Sequence, residues 1–427
     1  MRKNFSIHTH TFSTVQFKNA QERGCHMEEM GTRVLPSQLK DPYGWLQYMR
    51  EQHPLYYEPA TQTWHAFCYH DVAFILTKHE VFSTFPRKKD NEDMEAFLQA
   101  VLVALEPPRH GWYRYPVSRH FTVQALAPLA EKFRTITQEL LDQIRPRGET
   151  NFPLDFSYPL HERAVMALFN LSQAQYRKLK TWLEHPLILD VTRPPEERFV
   201  VMKEVVRFFQ DEVFPNQPSA GLIHELLTVG ENGRHHNLND AETAIFLVSL
   251  ILGAIETTPS MLSHAVYLCD EYPDIKAEIL HTPELMKSFL DEVLRFRSPL
   301  WGVRRQAKTD IVIRDQHIPA NSNIFAWIAS ANHDAEVFSH PDRFDIHRQH
   351  NPHLSFGRGI HWCLGAHMAR LEASIALPMV FEQLPELRRD RTVPPEYLAS
   401  DQFCSLLKLP FHFSPVSQPL YEEINNN

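Results

Sequence analysis

The sequence lacks the cysteine pairs that would mark a disulfide framework or a zinc site. Its five cysteines, Cys25, Cys68, Cys269, Cys363 and Cys404, are scattered and form no C-x-x-C. That pattern excludes a disulfide scaffold and leads us to expect a reducing, cytoplasmic setting. A basic surplus is missing too. The 43 Lys and Arg residues are outnumbered by 52 Asp and Glu, and the resulting net charge of −9 is the wrong footprint for a general nucleic-acid binder. No uninterrupted apolar stretch reaches the roughly 18 residues that a membrane span needs. The most apolar run, Ala244 to Ile255, is stopped by Glu256. The N-terminus carries no signal-peptide core, and no internal repeat, low-complexity tract or linker divides the body. No membrane attachment is expected.

What is present reads as one large domain, mainly α with a smaller β part. Residues 1–33 are polar and without periodicity, so we expect a disordered N-terminal extension ahead of a body spanning 34–427. Pro42 to Glu51 reads as a helix capped by Asp41. Leu55–Tyr57 and Trp64–Phe67 read as strands, and Asp71 as the cap of a helix over Val72–Thr77. Residues Phe85 to Glu95 read as a loop. Beyond Pro108 the pattern is mostly helical as far as Arg297. Its longest element runs from Asp240 to Tyr272, capped by Asn239 or Asp240 and ended by Pro273. Short strands at Ile311–Ile313 and Asn323–Phe325 follow, and a last helix covers Ala366–Phe381.

The densest signal is Phe356-Gly357-Arg358-Gly359-Ile360-His361-Trp362-Cys363-Leu364-Gly365. Glycines allow turns with positive φ and close backbone approach. The loop delivers one cysteine to a helix start, where backbone N–H groups favour a charged sulfur. An isolated cysteine would more often be a small buried hydrophobe. The whole run, however, resembles the haem-ligating loop of the cytochrome P450 family, Phe-Gly-x-Gly-x-His-x-Cys-x-Gly. The resemblance extends from about Leu35 to the C-terminus and implies the P450 fold, haem b as cofactor and Cys363 as the axial thiolate of its iron.

Further motifs fit the same family. Glu292-Val293-Leu294-Arg295 places an acid and a base at i, i+3. Alone this would be a surface pair, but it resembles the family's buried Glu-x-x-Arg, with Arg343 as the expected third member. In Gly253-Ala254-Ile255-Glu256-Thr257-Thr258-Pro259, Pro259 cannot donate to the carbonyl of Ile255, and Thr257 can bond back to Gly253, so the helix should bend. The segment resembles the family's oxygen-activation motif, with Ala254 in place of the usual second glycine. The resemblance implies that Glu256 and Thr257 are catalytic, delivering protons. Glu106-Pro107-Pro108-Arg109-His110-Gly111-Trp112-Tyr113-Arg114 resembles the family's haem-propionate signature, which implicates His110 and Arg114, joined by Arg305 and His353. Phe356, His361, Ala254 and Gly365 complete the implied cofactor contacts.

By the same resemblance, substrate contacts come from the loop before Ala104, from Ile245, Ser249, Leu250 and Ala254, from Leu300 to Val303, and from Phe403–Cys404. Their mostly apolar character implies a lipophilic small molecule. The expected activity is insertion of one oxygen atom from O2, with secondary metabolism as a candidate setting. No fused reductase is expected, so electrons are expected from NAD(P)H through a separate ferredoxin and ferredoxin reductase, docking on a basic patch around Arg109, Arg119 and Arg358. A peroxide-driven peroxygenase and a non-oxygenating haem sensor are the alternatives; the Glu256–Thr257 pair argues against both.

Overall fold

The computed structural model describes residues 42–84, 100–183, 195–218, 221–228 and 238–416. The 1–33 extension, Asp41, and the loop expected over Phe85–Glu95 lie outside the described residues. The helices that position the site are α1 (Pro42–Gln52), α2 (Tyr69–Thr77), α3 (Arg109–Ser118), α4 (Ala130–Ile144), α5 (Tyr158–Phe169), α6 (Gln173–Leu183), α7 (Pro195–Phe208), α8 (Asp240–Ile255), α9 (Thr257–Glu271), α10 (Pro273–His281), α11 (Met286–Phe296) and α12 (Ala366–Gln383). Helix α2 begins three residues before the expected start. Cys68 occupies its N-cap without a side-chain capping bond, and Asp71 lies inside the first turn, paired with Arg314 instead of capping.

A five-stranded sheet flanks the helices: β1 (Leu55–Glu58), β2 (Thr63–Ala66), β3 (Phe82–Ser83), β4 (Val303–Ala307) and β5 (Asn323–Ala326), in the order β1-β2-β5-β4-β3. Only the β2–β5 pairing is parallel, with Trp64 opposite Ile324. Two separate hydrophobic clusters hold the sheet, one of them built on Trp45, Phe67, Trp301, Phe325 and Trp327. Phe67 and Trp327 stack with planes 8° apart and centroids at 5.5 Å.

The long helix expected over Asp240–Tyr272 is present but broken. Its start carries a reciprocal capping box: Glu242 N–H donates to Asn239 Oδ1 at 2.9 Å, and Asn239 N–H donates to Glu242 Oε2 at 3.1 Å. Glu256 interrupts it between α8 and α9, and Pro273 opens the next helix. The combined span Asp240–Glu271 is apolar and long enough to cross a membrane. In this fold it is the central core helix, lying against α5, α7 and α11. Almost every residue from Thr258 to Asp270 is buried, whereas the stretch Ser249–Thr257 is mostly half-buried and Gly253 is exposed. The helix is thus walled in elsewhere and open at its middle, where the break lies.

Candidate active site

The cysteine loop is shaped by two glycines with φ of +70° and +72°, Gly357 and Gly359. At Gly359 a Cβ would sit 3.1 Å from the Leu76 carbonyl oxygen and from Thr77 Cα, so the loop packs directly on the end of α2. Positive φ and close approach together require glycine there. Cys363 N–H donates to Phe356 O at 2.8 Å, closing the loop. The half-buried Cys363 stands just ahead of α12, where the backbone N–H groups of Gly365 and Ala366 act on its sulfur. Burial pushes its thiol up, while those two donors and the guanidiniums of Arg114 and Arg370 work in the opposite direction. Phe356 is clamped by Arg370, whose Cζ lies 4.4 Å from the ring centroid.

Next to the cysteine, two guanidiniums and two imidazoles converge from three elements. Arg114 on α3 donates to Trp362 O at 2.8 Å. His110, one turn earlier, is buried, meets His361 edge-on with centroids 4.8 Å apart, and leaves Nε2 without a partner. Among the described residues the Arg305 guanidinium on β4 donates only to its neighbour's carbonyl, Arg304 O, and burial lowers it to about 10. Burial and then Arg114 lower His110 to about 4; burial, then Arg305 and His110, lower His361 to about 3. No carboxylate among the described residues pairs with Arg114, Arg305, His110 or His361. A concentration of unneutralised donors around a thiol at a helix start suits a ligand bearing both a metal and carboxylates.

His353 reaches the site from another side, with its buried Nδ1 left without a hydrogen-bond partner. Its Nε2 lies 3.7 Å from Asp291 Oδ1, and Arg370 Nη2 donates to the same oxygen at 2.7 Å. Because His353 precedes the turn into the loop, its ring faces α11, whereas His361 sits on the 3₁₀ turn Gly359–His361 that faces α3.

At the helix break, Thr257 Oγ1 donates back to Gly253 O at 3.3 Å and Ser260 N–H donates to Glu256 O at 3.2 Å. Glu256 Oε2 accepts a hydrogen bond from Tyr158 Oη at 2.7 Å. Gly253 has open space where a Cβ would lie, and Ala254 is half-buried beside it. Leu300 and Phe403 are joined by a bridge, bringing those two expected contact segments together. Cys404 instead points into the aromatic core with Trp45 and Trp301.

The buried brace forms with one correction. Arg295 donates to both Glu292 oxygens, at 2.8 and 2.7 Å, and both side chains are fully buried. The third charged member is Arg348, whose Nε lies 3.3 Å from Glu292 Oε2. Arg343 is exposed and offers only its backbone carbonyl to Arg295 Nη2, at 3.0 Å. The brace reaches the cysteine loop through Asn332. Arg295 Nη1 donates to its carbonyl at 2.9 Å, its Oδ1 accepts from Leu354 N–H at 2.8 Å, and its Nδ2 donates to Ser355 Oγ at 2.8 Å. Sequence reasoning missed Asn332, Ser355, Arg348 and Tyr158. The expected basic patch is divided: Arg109 pairs with Glu242 at 2.8 Å, Arg119 pairs with Glu225, and Arg358 donates to Tyr69 Oη at 3.4 Å.

Comparison with known proteins agrees with this geometry. The family model "Cytochrome P450" matches residues 165–397. YjiB of Bacillus subtilis, named as a cytochrome P450, is 32% identical, over 81% of this chain and 88% of its own. The cyclomarin C epoxidase CymV of Salinispora arenicola is 31% identical, over 80% and 89%. Among solved structures, Bacillus megaterium CYP109E1 in complex with testosterone superposes with a TM-score of 0.78 at 28% identity, covering 87% of this chain and 97% of that one.

Proposed function

Because the chain belongs to the cytochrome P450 family of haem-dependent oxidoreductases, we propose that Cys363 is the axial thiolate of its haem and that the protein oxygenates a lipophilic small molecule with electrons from NAD(P)H through a separate ferredoxin and reductase. One observation carries the reading: Cys363 stands just ahead of α12, where the backbone N–H groups of Gly365 and Ala366 and the guanidiniums of Arg114 and Arg370 favour a charged sulfur. Such donors stabilise sulfur in its charged form, the state that ligates iron. The haem, when bound, supplies O2 activation and the insertion of one oxygen atom. Its carboxylates would be held by Arg114, Arg305, His110 and His361, which lack any other anionic partner among the described residues.

The residues at the helix break would handle protons. Thr257 presents a hydroxyl whose hydrogen is parked on Gly253 O, and Glu256 offers a carboxylate one residue away. Alcohol and acid at the open middle of the helix can pass a proton from solvent to the cofactor face. The half-buried Ile245, Leu250 and Ala254 make that stretch of the helix apolar, which supports a lipophilic substrate. The similar proteins that epoxidise cyclomarin C or bind testosterone support the same class.

The test has two arms. Reduced, CO-bound protein should show the strongly red-shifted Soret band of a thiolate-ligated haem, and Cys363→His should lose it. With testosterone as probe, a ferredoxin system plus NADPH should give product and peroxide alone should not. Haem-loaded wild type without the shifted band would remove Cys363 from the iron. Turnover with peroxide alone would replace the monooxygenase reading by a peroxygenase.

A further inference from the structure

We infer that Tyr158 is a positioning residue for proton delivery, holding the Glu256 carboxylate against α5 at the helix break. The inference rests on the monooxygenase reading above and adds to it a residue outside every motif described in the sequence.

Glu256 is the single residue between α8 and α9, with φ −95° and ψ −34°. The 2.7 Å bond from Tyr158 Oη is the only side-chain hydrogen bond to its carboxylate among the described residues. A glutamate has three rotatable side-chain bonds, so removing that tether would return the carboxylate to several rotamers. The donor has little such freedom. Tyr158 opens α5, followed at once by Pro159, and is preceded by a wide turn over Pro153–Ser157 whose Phe156 is buried and stacked on Phe152 with centroids 5.0 Å apart. Ser157 Oγ in turn accepts from Ser263 Oγ of α9 at 3.0 Å. The start of α5 is therefore fastened to the same helix that carries the acid, two turns further on. Donor and acceptor share one rigid frame.

Burial, and then the Glu256 charge, push the Tyr158 phenol far above its ordinary range. It stays protonated at any working pH and acts as a fixed donor, not as the source of the transferred proton. Ser405, fully buried and without a hydrogen-bond partner, has its hydroxyl close to the Tyr158 oxygen. Tyr158→Phe removes only the phenolic oxygen from this half-buried ring. The tether draws the carboxylate toward α5, while the acid remains within one residue of the alcohol.

The experiment compares haem-loaded wild type with Tyr158→Phe, Glu256→Gln and the double variant. Haem content, the CO-difference band and the melting temperature should be unchanged in Tyr158→Phe. In its resting infrared spectrum, the Glu256 carboxylate band, assigned by subtraction of Glu256→Gln, should move to the frequency of a water-bonded carboxylate. With a ferredoxin–reductase pair under air, NADPH oxidation should slow roughly tenfold, the equivalent of one hydrogen bond to a charged group. The solvent deuterium isotope effect should rise. The double variant should be no slower than Glu256→Gln, since Tyr158 acts only through the acid. An unmoved carboxylate band, or equal slowing by Tyr158→Phe with and without Glu256, overturns the inference. A moved band in an enzyme that turns over only with peroxide would uphold the tether and overturn the monooxygenase reading.

Discussion

Replacing the two arginines near the brace one at a time tests which of them is its third member. Glu292 is wholly buried and receives five contacts: two from Arg295, Arg348 Nε at 3.3 Å, Asp345 N–H at 2.9 Å and Asn351 Nδ2 at 3.1 Å. Arg348 Nη1 also donates to Ser339 O at 2.8 Å, and its side chain is 7% exposed. Arg348→Ala removes one bond to a buried charge but leaves the neutral Glu292–Arg295 pair, a loss of about 2 kcal/mol. Arg295→Ala strands the carboxylate and frees the carbonyls of Asn332, Pro341 and Arg343, which together cost about 3–5 kcal/mol. Arg343→Ala keeps the carbonyl that matters and deletes an exposed side chain, within about 0.5 kcal/mol of wild type. Urea unfolding followed by far-ultraviolet circular dichroism and by the Soret band reads all three. The order Arg295→Ala, Arg348→Ala, Arg343→Ala in falling damage is expected, with haem lost first in the worst. An Arg343→Ala variant as unstable as Arg348→Ala would refute the reasoning.

Two other substitutions discriminate as sharply. Gly359→Ala forces a positive φ on a side chain, costing about 1–2 kcal/mol, and drives its Cβ into the end of α2; haem retention should fall. Gly365→Ala, at φ −81° with no protein atom within 4 Å of the added Cβ, should leave folding stability in urea within about 0.5 kcal/mol of wild type. For pH, burial and then Arg297 depress His264 to about 3, so the folded state keeps it neutral while the unfolded chain protonates near its ordinary 6.5. Below that value the unfolded state binds the extra proton, and stability falls by up to about 1.4 kcal/mol per pH unit down to pH 3. His264→Asn should flatten that slope in urea titrations between pH 7 and 5; an unchanged slope would assign the acid sensitivity elsewhere.

The parts of the site legible in the sequence are those whose logic is local. The loop from Phe356 to Gly365 needs glycine at fixed places because α2 presses on it, and that need is written in consecutive residues. The break at Glu256 follows from Pro259 and Thr257, each acting within four residues. Contacts between distant segments leave no such mark. Tyr158 and Glu256 are 98 residues apart, and nothing periodic around Tyr158 announces a partner. Arg343 and Arg348 share an irregular stretch after Pro341, where no helical or strand period decides which side chain turns inward, so the wrong one was expected. The directions of His353 and His361 were equally hidden: His353 lies before the loop beside α11, and His361 ends the 3₁₀ turn that brings it to α3.

The positions where this chain departs from good local rules lie on the site, and they are mechanically joined. Gly359 holds a conformation that only the packed end of α2 justifies, and Glu256 sits where a sixteen-residue helix stops for one residue and resumes. Each departure is held by a buried polar element that tolerates no slack. Asn332 accepts from Arg295 through its carbonyl and grips the loop at Leu354 and Ser355, while Ser355 Oγ donates to Leu294 O of α11 at 2.6 Å. Ser263 and Ser157 tie the resumed helix to α5, which carries Tyr158. Such networks are costly if only partly satisfied, which makes them poor choices for stability alone. They are suitable where two irregular segments, one bearing a thiol and the other an acid and an alcohol, must keep a fixed spacing across a space that a cofactor fills.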